Sequence, residues 1–251
     1  MVNIILSGCN GRIGKVITNL VANRQDCKIV CGVDLYTAKN FDYDVYATFS
    51  EVPQIENAVI IDFSNPSVLS SLLDYAQKYS VPCVLCTTGY SNDQIEQIKS
   101  TSNNIAIFSS GNMSLGINLT IALAKKATAV LGDNFDIEII EKHHNQKLDA
   151  PSGTAIMIAD AISKTLKEEP QYIYDRHNVR KKRGTNEIGI HSVRGGTIVG
   201  EHEVIFAGHD EILSIKHSAQ SREVFAVGAI NAAIYMLDKK SGMYDMSNIL
   251  A

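Results

Sequence analysis

Short apolar runs alternate with helix-like stretches through nearly the first half of the chain. The first run, residues 2–6, leads into a glycine-containing turn, after which Ile13, Ile17 and Leu20 recur at the spacing of one helix face. The other elements predicted here are strands at residues 28–33, 58–61, 81–85 and 105–108 and helices at 67–78 and 92–101. Because repeated βα units produce parallel strands covered by helices, this pattern predicts an α/β fold with a Rossmann-like, doubly wound parallel sheet.

The pattern changes after about residue 111. The elements predicted beyond it are helices at residues 115–131, 152–167 and 221–237 and strands at 136–140, 187–193, 198–206 and 212–217. Gly195-Gly196 and residues 208–210 separate the last three strands, which predicts two hairpins. The final helix is expected to pack back on the first sheet. We therefore predict one domain of residues 1–114 and 223–251 and an α+β domain of residues 115–222.

Composition and charge disfavour several classes of protein. The formal net charge of −4 argues against nucleic acid as a partner, because binding phosphates needs a concentrated basic face. The one basic cluster, residues 176–183, is interpreted as a solvated, mobile loop. The five cysteines are odd in number, and their single CxxC pair, Cys83 and Cys86, has no second pair with it, which argues against a disulfide scaffold or a metal site. No apolar run is long enough to span a membrane and no signal segment precedes the first strand, so a cytoplasmic protein without a membrane partner is expected.

The turn after the first strand has the glycine spacing of a dinucleotide site. Gly8, Gly11 and Gly14 lie between a predicted strand and a predicted helix, where the backbone can approach a pyrophosphate at the helix N-terminus. The first glycine is offset by one residue from the usual GxGxxG, so a glycine turn without a ligand stays an alternative. Asp34, at the end of the second predicted strand, is placed to accept hydrogen bonds from ribose hydroxyls.

The residues around Asp34 bear on the choice between NADH and NADPH. A carboxylate at this place repels a 2′-phosphate, and Leu35 and Tyr36, which follow it, bring no arginine. We therefore expect NADH or NADPH as the cofactor, with NADH bound at least as well. Lys39 would weaken that preference if its loop folds inward.

Two polar loops follow the later strands of the first domain. In a doubly wound sheet such loops open on the carboxyl edge, where the ligand lies, and their hydroxyls and amides suit a nicotinamide carboxamide and ribose. The residues of these loops predicted to bind the cofactor are Cys86, Thr87, Thr88 and Gly89, then Ser110, Gly111, Asn112 and Met113.

Residues 143–154 read HHNQKLDAPSGT and predict a site for a small dianion. Lys147 supplies a positive charge, and the adjacent His143 and His144 can donate protons near neutral pH. A helix whose backbone N–H groups can bind a carboxylate opens at Ser152, Gly153 and Thr154. Each feature alone is also compatible with a strand ending in a capped loop, but their joint occurrence favours the anion site. None of them needs a metal, and no metal is predicted.

Together these motifs resemble the bacterial dihydrodipicolinate reductases, also named 4-hydroxy-tetrahydrodipicolinate reductases, over nearly the whole chain. The motifs that carry the resemblance are GCNGRIG at residues 8–14, IDFSNP at 61–66, CTTGY at 86–90, GNMSLGIN at 111–118, EKHHNQKLDAPSGT at 141–154 and VRGGTIVGEH at 193–202. The resemblance implies NADH- or NADPH-dependent reduction of 4-hydroxy-tetrahydrodipicolinate to tetrahydrodipicolinate in lysine and diaminopimelate biosynthesis, carried out by a homotetramer. It implies a first domain for the dinucleotide and a second for substrate binding and oligomerisation.

The resemblance also implies roles for individual residues. His143 takes the place of the catalytic acid/base, and Lys147 that of a proton donor that holds the substrate. Residues implied to contact the substrate carboxylates are His144, Gly153 and Thr154, with Ser152 beside them. Residues implied to contact the cofactor are Gly8, Arg12, Ile13, Asp34, Thr88, Gly89 and the loop 110–113, and Arg222 is grouped with them. Relatives that use NADPH well often have an arginine where this chain has Leu35.

Two other functions stay open from the sequence. One is another Rossmann-type amino-acid dehydrogenase, of the aspartate or homoserine type. The other is a sensor that binds NADH without catalysis, although such a protein would have no need for a second anion site. For the reductase, the expected substrate is a small dicarboxylate.

Overall fold

A computed structural model describes residues 1–38 and 40–250. Lys39, on which the predicted cofactor preference partly depends, lies outside the described residues. The chain divides into two compact units, Met1–Met113 with Glu223–Ala251, and Ser114–Arg222. Each unit has its own sheet.

The strands are β1 (Val2–Ser7), β2 (Cys27–Val33), β3 (Asp44–Tyr46), β4 (Ala58–Asp62), β5 (Cys83–Leu85), β6 (Ala106–Ser109), β7 (Asp136–His143), β8 (Gln171–Ile173), β9 (Glu187–Arg194), β10 (Gly200–Ala207), β11 (Ile212–Ala219) and β12 (Gly242–Tyr244). The helices are α1 (Arg12–Val21), α2 (Leu69–Tyr79), α3 (Asn92–Thr101), α4 (Leu115–Leu131), α5 (Gly153–Ser163), α6 (Glu223–Met236) and α7 (Met246–Leu250). Short 3₁₀ turns cover Phe49–Glu51, Pro66–Val68 and Gly132–Asn134.

The first unit is built on a seven-stranded sheet in the order β12-β6-β5-β4-β1-β2-β3. All of its neighbouring strands run parallel. Every residue of β4 is buried, as expected for a central strand covered on both faces by helices. Because the strands are parallel, the segments that follow β1, β2, β4, β5 and β6 all leave from one edge of the sheet. The predicted Rossmann-like, doubly wound sheet is confirmed.

The second unit has a five-stranded mixed sheet in the order β11-β10-β7-β9-β8. Along β7, Ile137, Ile139 and Glu141 are buried while the residues between them are partly exposed, so alternate side chains point to one covered face. The apolar residues of this face pack with α4 and α5, and the core they share includes Ile158, Ile162, Val204 and Phe206.

One of the two predicted hairpins is wrong. β10 and β11 form an antiparallel hairpin in which Ala207 lies opposite Ile212. β9 and β10 do not pair, because β7 lies between them, parallel to β9 and antiparallel to β10. The turn at Gly195-Gly196 therefore crosses the carboxyl end of β7, where Gly195 N donates to the His143 carbonyl at 2.9 Å. Glycine chemistry shows where a chain reverses direction, but not which strand will lie beside the next.

The interpretation of residues 176–183 as a solvated loop is wrong for two of its arginines. Arg183 has 17% of its side chain exposed, and its guanidinium donates to Asp136 at 2.8 Å and to Glu138 at 3.1 Å. Arg176 lies 2.8 Å from a carboxylate oxygen of Glu187, and the hydrogen bond from Arg176 lowers the pKa of that buried carboxyl. These ion pairs connect the segment to β7 and β9.

No helix among residues 1–38 and 40–250 is both long and apolar enough to cross a bilayer. All five cysteines are free thiols, and four of them are buried. Burial raises the pKa of the Cys31 thiol to about 12, so that side chain behaves as a small apolar group.

Candidate active site

The glycine turn after β1 has the close backbone approach that its sequence predicts. Gly8 has a φ of +76°, and a Cβ added there would lie 2.5 Å from the carbonyl oxygen of Phe63. A Cβ on Gly14 would collide with the carbonyl oxygen of Gly8. Gly11 is the N-cap residue, and α1 begins at Arg12. The turn thus places a helix N-terminus at the carboxyl edge of the sheet, which fits a pyrophosphate.

Asp34 lies directly beside this turn. Its Oδ2 accepts a hydrogen bond from the backbone N–H of Asn10 at 3.0 Å, and its Oδ1 accepts one from Tyr36 N at 3.0 Å. The side-chain amide of Asn10 also donates to the Tyr36 carbonyl at 2.6 Å. Leu35 is 87% exposed next to the carboxylate. The structure therefore brings Asp34 and the glycine turn together, with an apolar side chain where an arginine would serve a 2′-phosphate.

The two polar loops also leave from this edge of the sheet. Cys86 follows β5 and its N–H donates to the Asp62 carbonyl at 2.9 Å, while Thr87 Oγ1 accepts from Ser64 N at 3.0 Å. Gly89 has a φ of +85°. In the second loop Ser110 Oγ donates to the Asn112 carbonyl at 2.9 Å. Hydrogen bonds thus join the loop after β5 to the end of β4 and the loop that follows it, while the loop after β6 is held by a turn of its own.

Asp62 is a buried carboxylate at this edge of the sheet, and it was not among the site residues predicted from the sequence. It ends β4, and its oxygens accept from Ser64 Oγ at 2.5 Å and from the Tyr90 hydroxyl at 3.3 Å. Burial and the nearby Asp62 carboxylate raise the pKa of Tyr90, which keeps that hydroxyl protonated. The signal in the sequence was the IDFSNP motif, in which a charged residue ends an apolar run.

In the second unit, β7 continues three residues beyond its predicted end and carries His143. His143 lies opposite Arg194 of β9, and Gly200 of β10 lies on its other side. A Cβ on Gly200 would lie 3.2 Å from His143 Nε2, so the missing side chain leaves that nitrogen uncovered on this side.

The other ring nitrogen of His143 is held from within the sheet. His143 Nδ1 lies 2.6 Å from Oε2 of Glu141, which is 0% exposed. Glu141 also accepts hydrogen bonds from the guanidinium of Arg194 and from Ser152 N. Sequence reasoning missed Glu141 and Arg194, although Glu141 stands two residues before His143 and so on the same strand face.

A second histidine packs against the first. The His202 ring lies 5.3 Å from that of His143, at an interplanar angle of 75°. Burial is the main reason that the pKa of His202 falls to about 4, and the neighbouring His143 charge acts in the same direction. His202 is therefore neutral at pH 7, and its Nε2 lies 3.1 Å from Ser152 Oγ.

The start of α5 matches the predicted anion site in local structure. Ser152 Oγ accepts from Ala155 N at 3.2 Å, which caps the helix, and α5 begins at Gly153. A Cβ built on Gly153 meets no atom within 4 Å, so the first turn is open to an approaching group. Thr154 follows in the same turn.

Lys147 is paired with a carboxylate of its own segment. Its Nζ lies 2.7 Å from Oδ1 of Asp149, and the side chain of Lys147 is 21% exposed. The hydrogen bond from Lys147 is the main cause that lowers the pKa of Asp149, and the backbone N–H of Gly153 contributes to the same effect. The ammonium and the start of α5 thus hold one carboxylate between them.

His144 lies beside Arg222 in the same unit. A guanidinium nitrogen of Arg222 is 3.3 Å from His144 Nε2. Since a guanidinium can only donate, Nε2 of His144 accepts this hydrogen bond. The structure therefore places Arg222 next to a residue predicted to contact the substrate. No group of three or more His, Cys, Asp or Glu side chains within the described part of the chain has the geometry of a metal site.

Comparison with known protein families covers almost the entire chain. Residues 2–113 match the family model described as "Dihydrodipicolinate reductase, N-terminus", and residues 116–250 match the one described as "Dihydrodipicolinate reductase, C-terminus". The 4-hydroxy-tetrahydrodipicolinate reductase of Clostridium tetani is 50% identical over 100% of this chain and 97% of the relative. That of Caldanaerobacter subterraneus is 49% identical over 100% of this chain and 98% of the relative.

Solved structures agree in fold. The dipicolinate-bound dihydrodipicolinate reductase from Paenisporosarcina sp. TG-14 superposes with a TM-score of 0.78 and 24% identity over 99% of each chain. A myo-inositol dehydrogenase from Lactobacillus casei, in complex with NAD(H) and myo-inositol, has a TM-score of 0.61 at 12% identity, over 99% of this chain and 90% of that one. The sequence matches confirm the expected reductase and decide against an aspartate- or homoserine-type dehydrogenase. The chain belongs to the dihydrodipicolinate reductase family.

Proposed function

We propose that this protein reduces 4-hydroxy-tetrahydrodipicolinate to tetrahydrodipicolinate with NADH or NADPH, in lysine and diaminopimelate biosynthesis. The observation that carries the proposal is the grouping of His143, Lys147 and the start of α5 at one end of β7, in a chain about half identical to 4-hydroxy-tetrahydrodipicolinate reductases. The reductase from Paenisporosarcina binds dipicolinate, a dicarboxylate, which agrees with a site for a dianion in this chain.

The first unit supplies the residues for the cofactor. The turn from Gly8 to Gly14 suits the pyrophosphate, and Asp34 is placed to accept from ribose hydroxyls. We assign the nicotinamide end to the loops 86–89 and 110–113, which leave from the same sheet edge. When bound, a reduced nicotinamide supplies hydride from C4 of its ring.

The second unit supplies the cations and donors for the substrate. We propose that Lys147 and the N–H groups of Gly153 and Thr154 bind one carboxylate, in the position where Asp149 is held in this structure. His144 and Arg222 bind the other, a role for Arg222 that its 3.3 Å contact with His144 favours over contact with the cofactor. Two carboxylates are thereby matched by two cations and by the start of a helix.

His143 is the proposed proton donor. The substrate must lose its 4-hydroxyl group as water, which leaves a conjugated cyclic imine. Addition of hydride to this imine leaves negative charge on the ring, and one proton neutralises it, so hydride, a proton and the loss of water together give tetrahydrodipicolinate. Nε2 of His143 faces the position of the absent side chain at Gly200, whereas Nδ1 is bound to Glu141. The proton therefore leaves from Nε2, with Lys147 as a second donor nearby in sequence.

A coupled assay tests the function directly. The condensation product of pyruvate and aspartate semialdehyde is generated in the cuvette, and oxidation of NADH and of NADPH is followed after adding the protein. We expect turnover with both cofactors and none without the condensation product. Binding of cofactor without turnover would favour the sensor instead.

We also propose a homotetramer and a cytoplasmic location. β11 is an edge strand of the second sheet, and its first residue, Ile212, has 71% of its surface exposed. Val193 and Leu213 are further exposed apolar residues on strands of this sheet. Pairing or packing between copies would cover them. Light scattering coupled to gel filtration should give the mass of four chains. The cytoplasmic location is supported by the five free cysteines, which suit a reducing compartment.

A further inference from the structure

A buried ion pair lies directly behind the proposed proton donor. Oε2 of Glu141 accepts from His143 Nδ1 at 2.6 Å and from Arg194 Nη1 at 2.8 Å. Oε1 accepts from Arg194 Nη2 at 2.7 Å and from Ser152 N at 3.0 Å. Two donors thus converge on each oxygen of a carboxylate that is 0% exposed.

These contacts require Glu141 to be ionised. Burial alone would raise its pKa, but the hydrogen bonds from Arg194 and then from His143 lower it to about 2. An ionised carboxylate has no proton to donate, so the short contact with His143 is made by an N–H on Nδ1. The carboxylate therefore determines which nitrogen of His143 keeps its proton and which one is available for exchange.

The same pair also fixes the neighbouring anion site. Arg194 Nη2 donates to the Asp149 carbonyl at 2.7 Å, and Glu141 accepts from Ser152 N, which precedes α5. The segment between Lys147 and the helix start is thus held at two points, by Glu141 of β7 and by Arg194 of β9. A buried ion pair contributes little net stability compared with apolar residues of the same size, so stability alone does not account for it.

We propose that Glu141 and Arg194 are positioning residues for proton donation by His143. They hold the imidazole with Nδ1–H toward the carboxylate and Nε2 toward the substrate. This inference rests on the function proposed above. In the reaction the imidazolium loses its proton from Nε2 to the reduced substrate, Nδ1–H stays with Glu141, and a proton from water restores Nε2–H. Glu141 stabilises the imidazolium and remains unprotonated throughout.

The test is Glu141→Gln, compared with Glu138→Gln as a matched control. Glu138 lies on the same strand but on the opposite face, and it also binds an arginine and a histidine, Arg183 and His191. In Glu141→Gln the amide oxygen is expected to stay with Ser152 N and Arg194, since neither can become an acceptor. The new NH₂ group then faces His143, whose ring can adapt by moving its proton to Nε2, and Arg194 Nη1, which loses this acceptor.

Two measurements follow, and the first needs no reaction. ¹⁵N NMR of histidine-labelled protein over a pH series, assigned by the signal missing in His143→Gln, reports which nitrogen of His143 carries the proton in the neutral form. We expect Nδ1–H in the unmodified protein and in Glu138→Gln, and Nε2–H in Glu141→Gln. In the assay, kcat of Glu141→Gln should fall at least about 100-fold, the lower end of general acid–base contributions, while KM for NADH changes less than about twofold.

Retention of the Nδ1–H tautomer and of kcat within about threefold in Glu141→Gln would overturn the positioning role. Absence of turnover in the unmodified protein would contradict the proposed reaction, while the tautomer comparison would still report on Glu141. If circular dichroism shows that Glu141→Gln does not fold, the positioning role is tested with Arg194→Lys instead. One ammonium cannot replace both guanidinium contacts, so kcat should fall about tenfold or more at unchanged KM for NADH, and an unchanged kcat would overturn the role.

Discussion

The Nζ of Lys147 lies 2.7 Å from Oδ1 of Asp149, so the cation assigned to the substrate already binds a carboxylate of the chain. A substrate carboxylate must therefore replace Asp149 at the ammonium. The pairing also holds the ammonium near the start of α5, where the backbone N–H of Gly153 contributes to the lowered pKa of Asp149.

Lys147→Ala should lose most of its turnover and bind the substrate more weakly, because a substrate carboxylate loses its cation. We expect kcat/KM for the substrate to fall at least about 100-fold, with the Kd of the cofactor unchanged. Steady-state kinetics and a cofactor titration measure the two quantities. Lys142→Ala is the control, since Lys142 forms a surface ion pair with Glu201 at 3.4 Å. Normal kcat/KM in Lys147→Ala would show that its assigned role is wrong.

Asp149→Asn should lower KM for the substrate. The variant removes the competing charge, and a partly exposed ion pair of this kind contributes about 0.2–1 kcal/mol, which corresponds to a KM up to about fivefold lower. The measurement is KM at saturating NADH. A higher KM would mean that Asp149 mainly orients Lys147 and does not compete with the substrate.

His143→Gln should reduce kcat with nearly intact affinity for the cofactor. Glutamine can still donate a hydrogen bond but cannot release a proton, so the loss should lie between about 100- and 10,000-fold. His191→Gln is a matched control, because His191 also contacts a glutamate, Glu138, at 2.7 Å in the same sheet. An effect confined to cofactor dissociation would reassign His143 to the nucleotide.

Leu35→Arg should shift the cofactor preference toward NADPH. The exposed Leu35 adjoins Asp34, and a guanidinium there could bind a 2′-phosphate, so the ratio of kcat/KM for NADPH to that for NADH should rise about tenfold. Leu35→Gln controls for size without charge. The unmodified protein should use NADH at least as well as NADPH, and a clear NADPH preference would contradict this assignment of Asp34.

Stability should decrease in mild acid because of His202. The folded pKa is about 4 against an ordinary value of 6.5, so the neutral ring favours the folded state above pH 6.5 and this contribution is lost as the pH falls toward 4. Between pH 7 and 4.5 the loss should be roughly 2–3 kcal/mol in the free energy of unfolding. Urea unfolding at both pH values measures it, and His202→Asn should show a smaller pH dependence. An equal pH dependence in both proteins would assign the effect to other groups.

The sequence predicted best those features that depend on local constraints. The glycine turn was predictable because Gly14 meets the backbone of Gly8 and Cys9 within the same βα unit, whereas the contact of Gly8 with Phe63 appears only in the folded sheet. β3, β8 and β12 were missed, since three residues are too few to show alternation.

The support of His143 was missed for a different reason. The buried positions Ile137 and Ile139 are followed on the same face by Glu141. When strands are predicted from hydrophobicity, a charged residue at such a position is taken as the end of the strand. Arg194, the partner of Glu141, is 53 residues away, so only the folded sheet shows that the charge is neutralised. Pairing of β7 between β9 and β10 likewise depends on contacts that turn residues do not encode.

That central place of β7 has a consequence for the chemistry. Glu141 and His143 share one face, so a slip of a single residue against either neighbour would turn both side chains away from the covered face at once. The alignment of the acid is therefore set by ladder hydrogen bonds on two sides rather than by a loop. Substitutions that loosen these ladders far from the ligand should reduce turnover before they unfold the domain.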